Sequence, residues 1–133
     1  FKIGTEEYGL DIQSVTTIIE KDMNISRVPQ TPQFIKGVIN LRGEIIPVMS
    51  LRIKFEMPEI EDTEETRIIV IKLDDIAVGL IVDMVCEVID LTDEQIEKVN
   101  SFSTVYITDY IMGVAKLENR IVTLLNLQKL IEI

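Results

Sequence analysis

The 133-residue chain is acidic, with 13 Lys and Arg against 23 Asp and Glu for a net charge of −10, which opposes a nucleic-acid role because affinity for a phosphate backbone comes mainly from neutralising cations. Hydrophobic residues make up 47%, yet no apolar run approaches the ~20 residues needed to span a bilayer, so a soluble protein with no direct membrane insertion is expected. Histidine is absent, which removes imidazole acid–base chemistry and imidazole metal ligands.

From the N-terminus, Tyr8–Ile12 alternates weakly and Thr16–Glu20 is β-branched, both signatures of short strands. Thr31-Pro32-Gln33-Phe34 sets a capping residue before Pro at a first helical position, which predicts a short helix. Lys36–Leu41 and Glu44–Met49 are predicted strands around a tight Arg42-Gly43 turn. Pro47 lacks a ladder donor, so its strand is expected at an edge or at a bulge. Residues Glu56 to Glu65 form an acidic stretch with one Pro and no periodicity. Its carboxylates lack the spacing of a calcium loop, so it is read as a solvated connection. Arg67–Leu73, Ile76–Val82 and Val85–Leu91 follow as predicted strands, and Thr92-Asp93-Glu94-Gln95 is a capping box that starts about one helical turn. Tyr110–Leu117 and Arg120–Leu125 flank a Glu118-Asn119 turn, and Leu124, Leu127, Leu130 and Ile131 stand at helical spacing within Leu124–Ile133. The lone cysteine, Cys86, sits in an apolar alternating stretch, and a single buried thiol suits a reducing cytoplasm.

The second half repeats the first. Phe34 to Leu51 aligns without a gap on Tyr110 to Leu127, with Gly37 over Gly113 (113 − 37 = 76) and Leu41 over Leu117. Gly9-Leu10-Asp11-Ile12 through Val15 to Ile18 aligns on Gly79-Leu80-Ile81-Val82 through Val85 to Val88 (79 − 9 = 70). A period near ~70 residues exceeds that of solenoid arrays and indicates a duplicated subdomain within one compact domain. Segments 34–55 and 110–131 are therefore expected to form equivalent hairpins.

Catalytic signatures are missing. There is no Gly-rich phosphate loop, nucleophile elbow or paired-Cys zinc spacing. Asp74-Asp75 and Asp93-Glu94 read as turn and helix-start residues, and Asp83, after a strand, as a turn or hydrogen-bonding residue. No catalytic residue, metal or cofactor is assigned, and the profile is that of a binding module working through apolar patches and sheet edges.

The run Pro29 to Val48, containing Phe34-Ile35-Lys36-Gly37-Val38-Ile39-Asn40-Leu41-Arg42-Gly43, with Tyr8-Gly9-Leu10-Asp11-Ile12 before it and Gly79-Leu80-Ile81-Val82-Asp83 after, resembles the CheW family of bacterial chemotaxis coupling proteins over essentially the whole chain. The resemblance implies an all-β fold of two intertwined SH3-like five-stranded β-barrels with a few short helices. In a single domain, 1–133, residues 13–75 would form the first barrel, and 1–12 with 76–133 the second. It also implies a non-enzymatic cytoplasmic scaffold, recruited to membrane-associated arrays, that joins the tip of methyl-accepting chemoreceptors to the regulatory domain of the histidine kinase CheA.

Carried onto this sequence, the receptor-facing groove would use Val15, Thr17, Ile18, Arg42, Val85 and Val88; no kinase-facing residues are assigned. The plain alternatives are barrel core for the four aliphatic residues and a solvated turn for Arg42. Thr17 stands where many members have an acidic residue that could pair with Arg42, which leaves Glu20 or Glu44 as partners for it, and Ser50 stands where Asp is common after the Pro-Val strand. Two other readings remain: a CheW-like domain from a CheA-type kinase or from a coupling protein fused to a receiver domain, and an enzyme using its carboxylates.

Overall fold

A computed structural model describes residues 1–20, 24–98 and 110–131. Its strands are β1 (Lys2–Ile3), β2 (Glu6–Gly9), β3 (Val15–Glu20), β4 (Ile35–Leu41), β5 (Glu44–Ser50), β6 (Arg67–Leu73), β7 (Ile76–Val82), β8 (Ile96–Lys98), β9 (Ile111–Lys116) and β10 (Ile121–Leu125), with short helices α1 (Leu51–Lys54) and α2 (Leu127–Leu130). They form two five-stranded sheets, in the orders β1-β2-β10-β9-β8 and β3-β6-β7-β5-β4. The chain begins in one sheet, builds the whole of the other, and returns to finish the first. β7 pairs with both β6 and β5, so a lobe boundary drawn at residue 75 falls inside a hairpin of one sheet.

The duplication is visible in the pairing itself. Ile35 faces Met49 and Gly37 faces Val48, with a bulge between; Ile111 faces Leu125 and Gly113 faces Leu124, again with a bulge. Every one of these residues is displaced by 76. The Ser50 amide donates to the Phe34 carbonyl and the Asn126 amide to the Tyr110 carbonyl, both at 2.7 Å. Ser50 and Asn126 then cap α1 and α2 by accepting from the amides of Ile53 and Lys129. The second offset holds as well: Val48 pairs in parallel with Gly79, and Leu124 with Gly9.

β6 shows how the halves share a core. Its Ile68-Ile69-Val70-Ile71 run is buried throughout, the pattern of a strand covered on both faces. Ile68 and Val70 join Ile39, Ile46 and Val48 inside one lobe. Ile69 and Ile71 join Met49, Leu51, Phe55 and Leu80 with Ile3, Tyr8 and Leu125 of the other sheet and Leu130 of α2. Burial of the second set, at ~25 cal/mol per Å² of apolar surface, welds the sheets into one body.

Local expectations fail where tertiary pairing or a single dihedral decides. β2 ends at Gly9, because Asp11 caps a 3-10 turn over Ile12–Ser14 by accepting from the Gln13 amide at 3.0 Å. Thr31-Pro32-Gln33-Phe34 is a turn rather than a helix: Gln30 has φ of 62°, and the Ile35 amide closes back on the Pro32 carbonyl at 2.9 Å. Val85–Leu91 is not a strand. Met84, just before it, makes an isolated bridge to Lys2. β8 was not expected; it begins after a 3-10 turn over Asp93–Gln95, which does carry the expected capping box. Pro47 is not on an edge strand, since β5 lies between β4 and β7, but it precedes the parallel register that starts at Val48. The terminal helix is confined to Leu127–Leu130 because Leu124 and Leu125 belong to β10; residues 132 and 133 lie outside the described part.

Candidate functional site

β3 pairs with β6 through a bulge: Val15 faces Ile71, Thr17 faces Val70 and Ile18 faces Ile69. Directly opposed residues share a face. Val15 and Ile18 therefore stand on the side of Ile69 and Ile71, towards the second sheet, although they are three residues apart. Val15 packs on the shared core, while Ile18 is 44% exposed. Thr17 is turned the other way, with Val70, towards the lobe interior.

Val85 and Val88 are the repeat equivalents of Val15 and Ile18, displaced by 70. Val85 packs on the same shared core, and Val88 is 69% exposed. They lie on an irregular segment instead of a strand, so the question of alternation within a strand does not arise. The structure thus brings Val15, Ile18 and Val85 around the core between the sheets, with Val88 exposed farther along the Val85 segment. Cys86, in the same segment, is partly exposed.

Arg42 is elsewhere. It occupies the β4–β5 turn, and β4 is the edge of its sheet opposite β3. Arg42 and Gly43 have φ of 54° and 85°, and the Gly43 amide donates to Asn40 Oδ1 at 3.0 Å. Two successive positive φ values match the twist of a two-residue hairpin. The Arg42 side chain is exposed and forms no ion pair within 4.0 Å with a described carboxylate, Glu20 and Glu44 included.

Sequence reasoning overlooked α1. Arg52 Nε donates to Asp83 Oδ1 at 3.0 Å and Nη2 to Oδ2 at 2.6 Å, with side chains only 15% and 21% exposed. The same Oδ2 accepts the Gly4 amide at 2.7 Å, and Arg52 Nη1 donates to the Pro58 carbonyl at 2.9 Å. Burial pushes the Asp83 carboxyl up, but the Arg52 and Gly4 hydrogen bonds and the guanidinium charge outweigh it and hold the carboxyl below its ordinary value. Asp83 is thus the hydrogen-bonding residue its position suggested. Two residues on, Lys54 Nζ sits 3.8 Å from the Phe34 ring centroid and 5.4 Å from that of Tyr110, while the Phe55 ring lies tilted against Tyr8 and Tyr110, with centroids 5.4 and 6.0 Å away. The available signal was disagreement between the repeats, since Arg52 and Asp83 correspond to Gln128 and Gln13.

Among the described residues no group of three acidic or sulfur side chains is placed to hold a metal, and no helix is long and apolar enough to cross a membrane. What this geometry offers is a surface: aliphatic side chains beside the core shared by the two sheets.

A family model described as CheW-like domain matches residues 1–133. The chain is 40% identical over 131 residues to the Chemotaxis protein CheW of Klebsiella aerogenes, covering 98% of this chain and 78% of that one. It is 38% identical over 126 residues to the Chemotaxis protein CheW of Bacillus subtilis, covering 95% and 80%. The crystal structure of the scaffolding protein TtCheW from Thermoanaerobacter tengcongensis superposes with a TM-score of 0.91 at 38% identity, over 100% of this chain and 90% of the other.

Proposed function

The chain belongs to the CheW family and is a chemotaxis coupling adaptor, and on that premise we propose that it joins the cytoplasmic tip of methyl-accepting chemoreceptors to the regulatory domain of the histidine kinase CheA. The role is non-catalytic and cytoplasmic, with recruitment to receptor arrays at the membrane. The observation that carries the receptor half is the exposure of Ile18 and Val88 beside the partly buried pair Val15 and Val85. Such aliphatic side chains gain ~25 cal/mol for each Å² that a receptor helix covers. Arg42 and Thr17 enter on different grounds. Arg42 is an exposed guanidinium at the far edge with no ion pair among the described residues, suited to a second contact, whereas Thr17 acts only through the packing behind Ile18. The naming of the relatives as Chemotaxis protein CheW, and of the matching structure as a scaffolding protein, favours this reading over a domain of a CheA-type kinase.

Co-sedimentation of a receptor cytoplasmic fragment with the kinase, in the presence and absence of this protein, tests the proposal. Kinase recruitment that depends on the protein is expected. Recruitment that is the same without it, or a protein that binds neither component, removes the reading.

A further inference from the structure

The two junctions between the sheets are equivalent by sequence offset but are built differently. At one, Gly4 with φ of 63° faces Arg52 and Asp83. At the other, the corresponding positions are Asp74, also at positive φ (55°), with Gln128 and Gln13, all three exposed. Among the described residues only the first junction holds a bidentate ion pair, and that ion pair sits at the head of the irregular segment that carries Val85 and Val88.

Three further bonds converge there. The Asp83 amide donates to the Lys2 carbonyl at 3.1 Å, the Lys2 amide to the Met84 carbonyl at 2.8 Å, and Arg120 Nη2 to Glu87 Oε1 at 2.6 Å. Val15 and Ile18 need no such support because β3 is held along its length by β6. From residue 85 to 92 the other segment has no strand partner among the described residues, so beyond the packing of Val85 on the core its position depends on the groups at its head and flank.

We propose that Arg52 is a positioning residue for receptor binding: its bidentate grip on Asp83, shared with the Gly4 amide, pins the Val85–Val88 segment against the β1–β2 hairpin and so sets the two halves of the apolar surface at a fixed separation. This rests on the proposed receptor contact. Arg52 itself, mostly buried under Pro58 and Asp83, presents little surface to a partner. A planar fork is required, since a lysine ammonium cannot meet both carboxylate oxygens in the same geometry.

The test uses Arg52→Gln, which copies residue 128, and Arg52→Lys. Two readouts are measured on the full chain: amide hydrogen exchange at Lys2, Gly4 and Asp83, and affinity for a receptor cytoplasmic fragment. In Arg52→Gln, exchange at these amides should speed by at least about tenfold while β6 and β7 amides keep their rates, and receptor affinity should fall about five- to tenfold; Arg52→Lys should lie between. Val88→Asp serves as the reference for the receptor contact. If Val88→Asp weakens binding but Arg52→Gln does not, the positioning role is wrong while the receptor reading stands. If Val88→Asp has no effect, the receptor reading itself fails, whatever the exchange shows. Uniform acceleration across both sheets would make Arg52 a general support of the fold and overturn the proposal. Should Arg52→Gln fail to fold, Arg52→Lys decides, and wild-type exchange together with wild-type affinity would end the argument.

Discussion

Val15 and Val85, 70 residues apart (85 − 15), pack against the same core between the sheets from equivalent positions in the two repeats. Each is followed three residues later by an exposed aliphatic side chain, Ile18 or Val88. The duplication has therefore produced two copies of one apolar pair. They differ in support: the first is carried on a strand and the second on a pinned irregular segment.

That asymmetry makes the exposed members the informative ones to change. Ile18→Asp and Val88→Asp place a charge where side chains are 44% and 69% exposed in the isolated protein, so Val88→Asp should shift stability by no more than about 0.5 kcal/mol. Ile18→Asp should cost somewhat more because its neighbour across the ladder is the buried Ile69. Binding to a receptor fragment should weaken by ~1–2 kcal/mol for either, the scale of a truncated interface contact. Thermal melts beside binding isotherms check this, and normal affinity in both variants would show that the partner lands elsewhere.

Arg42 separates fold from function in a different way. A non-glycine residue at φ of 54° carries left-handed backbone strain, and its side chain makes no ion pair to a described carboxylate to offset it. Arg42→Gly should therefore hold or raise stability, by up to about 1 kcal/mol, and Arg42→Ala should stay within about 0.5 kcal/mol of the parent. Both should weaken receptor binding or kinase control if the guanidinium is a contact, and Arg42→Lys should restore only part. A drop of several degrees in the melting temperature of Arg42→Gly would show that the side chain supports the fold.

Much of the fold was legible because runs of β-forming residues such as Arg67–Leu73 and Ile76–Val82 became strands with those same bounds. The gapless repeat fixed which hairpins correspond, and the register bears it out residue by residue. The Val85–Leu91 run was misread for a physical reason: its apolar residues are held by packing and by arginine contacts to Asp83 and Glu87, which leave no local periodic trace. Of the candidate site, the Val15 and Val85 equivalence was readable, but the bulge that turns Val15 and Ile18 to one face and Thr17 to the other was not, because a bulge is set by the partner strand.

The Arg52–Asp83 pair predicts an acid response. The folded Asp83 carboxyl titrates below its unfolded value, so the stabilisation it supplies is present above the unfolded carboxylate range of about 3.9 and is lost as pH falls through the lower folded value. Asp83→Asn should lower stability at neutral pH, by ~2 kcal/mol or more since it leaves Arg52 partly buried without its counter-charge. It should also flatten the dependence of stability on pH below about 4. Denaturant titrations at neutral pH and in the acid range check the sign, and a parallel acid decline in parent and variant would mean that other carboxylates govern it.

The last prediction tests the duplication at a single pair of atoms. A Cβ added at Gly113 would come within 2.8 Å of the Glu97 carbonyl oxygen, and one added at Gly37 would overlap the Ser26 carbonyl oxygen, which lies against β4 through the Ser26–Val38 bridge. In both repeats a neighbouring backbone crosses over the same glycine, just past the same bulge. Backbone cannot swing aside as a flexible side chain can, so Gly37→Ala and Gly113→Ala should each destabilise by roughly 2 kcal/mol or more, through overpacking against the crossing chain. Gly37→Ala should be the worse of the two because its clash is closer. Gly43→Ala is the control: a Cβ there meets nothing within 4 Å, and its cost should come only from φ of 85°, about 1 kcal/mol. Denaturant midpoints for the three variants rank them, and equal midpoints for Gly37→Ala and Gly43→Ala would mean that the crossing strands do not approach β4 as closely as the repeat requires.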